Sequence, residues 1–194
     1  MTVLHDIVVH ILGHAGTGKL TVARALQPGL DAALIDSHLI NNPIFAALGV
    51  GGGTPVPPAA WTYTQAVRAA VLDAIENCAP MGRNYIFTNV VYDDDPHDLA
   101  NLRLMRQAFA RKGLTYIPVR LQCAEEELLR RRVAPGRAEN RKDISVDNAR
   151  RDHRTRRIVE TGDPHELTLD VTALAPEAAA QKILAHIQTL VNPA

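Results

Sequence analysis

The sequence predicts a single α/β domain: a five-stranded parallel sheet with helices on both faces and a short basic lid at about residues 130–145. Short apolar runs alternate with longer helical patterns along the chain, which is the order of a parallel sheet with crossover helices. A Gly-rich segment follows the first run, where such sheets bind ligands. The length of 194 residues suits one domain with one continuous core, residues 1–194, and no internal repeat or linker divides it.

The runs are Ile7–Leu12, Ala32–Ile35, Asn84–Thr88, Tyr116–Leu121 and Leu167–Val171. They are short and largely apolar, which suits strands buried in a parallel sheet. Asp95-Pro96-His97-Asp98 predicts a helix start, with Asp95 as cap, Pro96 at the first helical position and Asp98 at the positive end of the dipole. Leu99, Leu102, Met105 and Phe109 then share a face, and Gly113 stops the helix. Trp61–Cys78 repeats the pattern with Val67, Val71 and Ile75, and Pro176–Val191 repeats it with Ile183, Leu184 and Ile187. Gly49–Pro58, rich in Gly and Pro, predicts a flexible loop.

Bulk properties narrow the functional classes. The chain is 46% hydrophobic and 22% charged, close to a soluble globular average. It has no 18-residue apolar run, so no membrane span is expected. The residues before Ile7 carry no basic region ahead of a long apolar one, which leaves the cytoplasm as the expected location. Cys78 and Cys123 stand far apart in apolar contexts, without metal-ligand spacing and with little reason to pair. Net charge is zero, but more than half of the 21 basic residues lie between Arg130 and Arg157.

Gly13-His14-Ala15-Gly16-Thr17-Gly18-Lys19-Leu20-Thr21 closely fits the phosphate-loop pattern G-x-x-x-x-G-K-[ST]. Glycines let the backbone turn its N–H groups inward, and the helix N-terminus behind them completes an anion cradle. Lys19 places a charge on the β- and γ-phosphates. Leu20 stands where Ser or Thr normally ligates Mg²⁺, so the metal must rely on water, the phosphates and other carboxylates; Thr21 is placed to reach the α-phosphate. ATP and Mg²⁺ are therefore the expected cofactors.

Asp36 ends the second run and falls on the same rim as Lys19. Phosphoryl transfer asks the protein for positioning, charge stabilisation and one proton acceptor, and Asp36 is the candidate acceptor, with a share in holding Mg²⁺. The alternative is that Asp36 merely caps the next helix, although Ser37 could do that instead. His38, Asn41 and Asn42 are candidates to bind a polar substrate, but Asn-Asn-Pro at 41–43 is also a loop signal. Asn89 follows the third strand, where an acidic metal ligand would be expected, and is a further substrate candidate. Asp93, Asp94 and Asp95 read mainly as the cap of the next helix.

Glu125–Arg132 is helical in pattern, and Ala134–Arg137 predicts a turn. A basic flap there would neutralise charge during transfer and exclude water. Arg132 and Arg137 are its first candidates, one toward the adenine side and one toward the transferred phosphate. Arg150, Arg151, Arg154, Arg156 and Arg157 read as a solvated basic helix. An RNA-binding face lacks stacking aromatics, since no Phe, Tyr or Trp occurs from Arg130 to Arg157.

With its phosphate loop, Asp36, arginine flap and the late segment Asp170–Pro176, the chain resembles the nucleoside-monophosphate-kinase-like group of P-loop proteins, which includes shikimate kinase and gluconate kinase. Gly18-Lys19-Leu20-Thr21 with Asp36–Pro43 is similar to a bacterial shikimate-kinase-like ATPase subgroup. The resemblance implies the three-layer P-loop NTPase fold. It also implies Asp36 as base, Arg132 stacked on adenine, Arg137 as the flap arginine, and base contacts from the segment between Thr172 and Pro176. The shikimate-binding glycines are replaced by Thr88-Asn89-Val90. The expected activity is transfer of the γ-phosphoryl group of ATP to a hydroxyl of a small polar molecule. The alternatives are a nucleotide-binding switch with weak hydrolysis and an RNA-directed kinase.

Overall fold

The computed structural model describes residues 4–134 and 137–191. Pro135 and Gly136, within the expected turn, lie outside the described residues. The strands are β1 (Ile7–Leu12), β2 (Ala32–Asp36), β3 (Asn84–Asn89), β4 (Thr115–Gln122) and β5 (Leu167–Asp170). The helices are α1 (Lys19–Leu30), α2 (Ser37–Leu48), α3 (Ala60–Cys78), α4 (Pro96–Lys112), α5 (Glu125–Arg132), α6 (Val146–Thr155) and α7 (Pro176–Val191). The strands form one parallel sheet in the order β2-β3-β1-β4-β5, so the Gly-rich loop after β1 leaves the central strand.

Every residue of β1 is buried, which explains why all but His10 are apolar. Ile7, Val9 and Ile11 face a core built from α1, α5 and α7, including Val22, Leu26, Leu128 and Ile183. Val8 faces the other layer, where α3 and α4 contribute Leu72, Met105 and Phe109. The open, doubly covered sheet is the α/β architecture of P-loop kinases.

The α4 signals act as their chemistry requires. Asp95 accepts from the N–H groups of His97 and Asp98, and Gly113 closes the helix in the left-handed region. The loop signal at Asn41-Asn42-Pro43 does not end a helix, because α2 runs through it. A proline inside a helix costs about 3 kcal/mol. Burial of Ile40 and Phe45 on the inner face of α2 opposes that cost. Cys78 is exposed, Cys123 is buried, and both are free. Among the described residues, no helix is long and apolar enough to cross a membrane.

Candidate nucleotide and phosphoryl-transfer site

The loop after β1 uses its glycines for separate reasons. Gly18 adopts φ 91° as the N-cap of α1, a conformation that L side chains rarely take. Gly16 has φ 110°, and a Cβ there would sit 3.1 Å from the Leu128 carbonyl of α5. At Gly13 a Cβ would meet Thr17 Oγ1 at 2.8 Å and the Leu121 carbonyl at 3.0 Å. Thr17 is buried and donates its hydroxyl to the His14 carbonyl at 3.0 Å, bracing the loop from within.

Lys19 Nζ donates to the carbonyls of Gly13 (2.7 Å) and His14 (2.9 Å). Burial pulls its pKa down to about 7; Asp36 opposes this, while Arg137, Lys142 and Arg132 add to it. The His14 ring lies 5.6 Å from Tyr92 and 5.3 Å from His153. Burial, then His153, lowers the His14 pKa to about 4. Ala15 forms part of the loop tip, Leu20 occupies the first turn of α1, and Thr21 is exposed beside it.

The register of α5 separates the two arginines at its end. Leu128 packs against Gly16, and Arg132, one helical turn later, follows it inward. Arg132 is 2% exposed. One of its nitrogens donates to Asp143 at 2.6 Å, while Nε and Nη1 are buried without a hydrogen-bond partner. Arg131 takes the outer course. It donates to the carbonyls of Thr17 (3.2 Å), Val171 (3.0 Å) and Thr172 (3.2 Å), and to Glu127 at 2.6 Å. A cleft of about 310 Å³ lies there, lined by Thr21, Arg130, Arg131, Val171, Leu174 and Pro176 among others.

Arg130 and Arg131 line this outer cleft, while Arg132 lies buried on the inner side. The run Arg130-Arg131-Arg132 signals such residues, but only the packing of Leu128 decides which one faces which way. Thr172, next to Val171 of the cleft wall, accepts from the Ala124 N–H through its hydroxyl at 2.8 Å. Pro176 begins α7 at the cleft wall.

Asp36 is 6% exposed. Strand pairing sets it opposite Thr88, while Leu12 pairs with Asn89, so the end of β2 and the start of the phosphate loop share one rim. Asp36 does cap α2: its Oδ1 accepts from the His38 N–H at 3.0 Å. Ser37 does not cap, because its hydroxyl donates to the Thr88 carbonyl. Asp36 Oδ2 accepts from Lys142 Nζ at 3.4 Å. Burial pushes its pKa up, but the His38 N–H and Lys142 outweigh it and leave the carboxyl below the usual range. Arg137 donates to the Asp143 carbonyl at 3.3 Å and has a buried Nε without a partner.

The remaining substrate candidates divide. His38 Nδ1 meets the Asn42 side chain at 3.2 Å, along one face of α2 next to Asp36. Asn41 is buried with its side-chain oxygen unpartnered. Asn89 is engaged beneath the sheet rim. In the orientation its neighbours require, its amide donates to His10 Nε2 (2.9 Å) and the Thr88 carbonyl (3.2 Å) and accepts from Arg68 (2.9 Å). His10 then donates from Nδ1 to the Tyr116 hydroxyl at 3.1 Å, and burial holds its pKa at about 4.

The charge of the 130–157 segment is largely matched within the molecule. Arg150 and Arg154 pair with Glu125, Arg151 with Asp152, and Arg156 with Asp94 and Asp95. The triplet Asp93-Asp94-Asp95 thus caps α4 through Asp95 and anchors Arg156.

A nucleoside triphosphate fits these residues: Gly13 and Gly16 leave no room for a Cβ, and Arg132 and Arg137 carry buried N–H groups without acceptors. For Mg²⁺ the chain offers Asp36. Among the described residues no group of three His, Cys, Asp or Glu is placed to hold a metal, which suits an ion that keeps water and phosphate ligands.

Known structures share the fold. Shikimate kinase from Acinetobacter baumannii, in complex with shikimate, is 21% identical, with 95% of this chain and 94% of that one covered at a TM-score of 0.59. A gluconokinase from Sinorhizobium meliloti is 14% identical, with 96% and 94% covered and a TM-score of 0.61. An APS kinase from Mycobacterium tuberculosis, in complex with AMPPNP and APS, is 16% identical, with 95% and 98% covered and a TM-score of 0.60. No curated protein matches the chain. The AAA-domain profile matches residues 9–159, from the middle of β1 to the segment beyond α6, and the chain belongs to that family.

Proposed function

We propose that this protein is an ATP-dependent kinase that transfers the γ-phosphoryl group to a hydroxyl of a small polar molecule. One observation carries the proposal. Lys19, Arg132 and Arg137 converge beside the Asp36 carboxylate, and N–H groups of both arginines are buried without protein acceptors. Buried donors left unpaired cost about 1–3 kcal/mol each, more when charged, so the arrangement calls for an anion. The solved structures of like fold include kinases, which supports the same assignment.

The loop N–H groups and Lys19 would hold the β- and γ-phosphates. Arg132 and Arg137 would stabilise charge on the transferred group, and Arg131 would border the nucleoside in the outer cleft. Asp36 Oδ2 would accept the proton of the acceptor hydroxyl. Bound Mg²⁺ would offset phosphate charge, with Asp36 as the chain's own ligand and water completing its shell. His38, Asn41 and Asn42 on α2 lie beside Asp36 and would contact the acceptor. The internal pairing of the basic segment leaves little free charge for an RNA face.

The test is ADP release from ATP and Mg²⁺ against sugars, polyols, nucleosides and aminoglycoside-type alcohols. A compound that stimulates the wild type and not Asp36→Asn supports the kinase. A flat panel with intact nucleotide binding supports a nucleotide-dependent switch, for which Leu20 in the phosphate loop is the specific argument.

A further inference from the structure

The lid between Arg137 and Asp143 is tied to the substrate side of the site. Lys142 N–H donates to the Arg137 carbonyl and Arg141 N–H to the Ala138 carbonyl, both at 2.9 Å, so the segment folds into its own turn. That turn rests on the Gly-rich loop after α2. Arg141 donates its guanidinium to the Val50 carbonyl at 3.0 Å. A Cβ on Gly51 would lie 2.8 Å from the Arg141 carbonyl oxygen, and one on Gly52 would lie 3.2 Å from that of Ala138. The loop is therefore a seat shaped by the absence of side chains. From this seat Lys142 reaches Asp36 Oδ2, with side-chain exposures of 17% and 8% for the pair.

Both oxygens of Asp36 are consequently engaged, Oδ1 by the His38 N–H and Oδ2 by Lys142. We propose, resting on the kinase assignment, that Lys142 is a positioning residue that guards the catalytic carboxylate against water until an acceptor displaces it. In productive transfer the acceptor O–H proton passes to Asp36 Oδ2. The acceptor oxygen bonds the γ-phosphorus, the bond from that phosphorus to the β–γ bridging oxygen breaks, and ADP leaves. Water in the acceptor's place would undergo the same exchange and give inorganic phosphate. With Lys142 on Oδ2, water has no proton acceptor. An acceptor molecule, unlike water, brings contacts to α2 that offset loss of the Lys142–Asp36 pair. The lid then links acceptor binding to the freeing of Asp36.

Lys142→Met keeps most of the aliphatic stem and removes the charge. ATP hydrolysis without acceptor should rise by about tenfold or more, within the range of general-base effects, and the rise should vanish in Lys142→Met/Asp36→Asn. Limited trypsin digestion reads the tie without turnover. Cleavage after Arg137 and Arg141 should be faster in Lys142→Met and in Asp36→Asn, with no further gain in the double variant. Unchanged cleavage in both single variants overturns the tie, and faster cleavage without added hydrolysis overturns the guard. If no acceptor stimulates ADP release in the wild type, the kinase assignment itself fails; if stimulation survives in Asp36→Asn, Asp36 is not the proton acceptor and the guard fails with it. If that variant is inactive while Lys142→Met matches wild type in both assays, only the guard fails.

Discussion

Nucleotide binding should take up a proton, and Lys19 is the reason. In the free protein burial holds its pKa at about 7, against an ordinary value of 10.5. Asp36 and the carbonyls of Gly13 and His14 favour the ammonium, but burial and three neighbouring cations outweigh them. Phosphates beside Nζ favour the charged form and raise the pKa again. Below pH 7 Lys19 is charged with or without nucleotide, so its contribution to affinity is flat. Above pH 7 the free protein must gain a proton to bind, and affinity falls by about tenfold per pH unit. Between pH 7 and 9 the loss is about 50-fold, or about 2.3 kcal/mol, because Lys19 is already half deprotonated at pH 7. Calorimetric titration with ADP at pH 8.5, in buffers of different ionisation enthalpy, should show uptake of nearly one proton. Lys19→Met should abolish it. An affinity flat from pH 7 to 9 in wild type, with no proton uptake, would show that the loop carbonyls hold the ammonium charged and refute this account.

The two arginines at the end of α5 should separate kinetically. Arg131→Ala removes a bridge from the phosphate loop to the segment after β5, and should weaken ADP and ATP alike by about tenfold in fluorescence titrations. Arg132→Ala should chiefly lower kcat, by about 10² or more, in the coupled ADP assay. Gly51→Ala places a side chain against the Arg141 carbonyl at φ 91°, so it should raise the KM for acceptor while leaving ADP affinity within about twofold. His10 is buried and neutral, with a folded pKa of about 4 below its unfolded 6.5. The unfolded chain therefore binds more protons between those values, and stability falls as pH drops from 6.5 to 4, by up to about 3 kcal/mol. Urea unfolding at pH 7 and pH 4.5 should show the loss, and His10→Gln should reduce it.

Much of this molecule is local in origin and can be read along the chain. The five apolar runs became five strands, and β1 and β3 near the middle of the sheet are buried throughout because helices cover both of its faces. Asp95-Pro96 and Gly113 bound α4 because capping uses neighbouring backbone groups. The tight turn at Gly13–Gly18 could be read because its glycines lie within one loop.

Other features depend on contacts between distant segments. Proline at 43 argued for a loop at Asn41-Asn42, and buried packing of α2 overrode it. The choice between Arg131 and Arg132 was set by Leu128 against Gly16, a contact across the fold that fixes the rotation of α5. Asn89 looked available to a substrate because strand ends face ligands, yet His10 and Arg68 claim its amide from below the rim. The pairing of Lys142 with Asp36 joins residues 106 positions apart through the seat at Gly51. The sequence by itself determined the strands, the Gly-rich turn after β1 and the placement of Asp36 at the end of β2, because propensity, capping and periodicity act over a few residues. Only the tertiary structure decided which arginine turns inward, which polar groups are already matched and what holds Asp36, because burial and pairing exist only once the chain has closed.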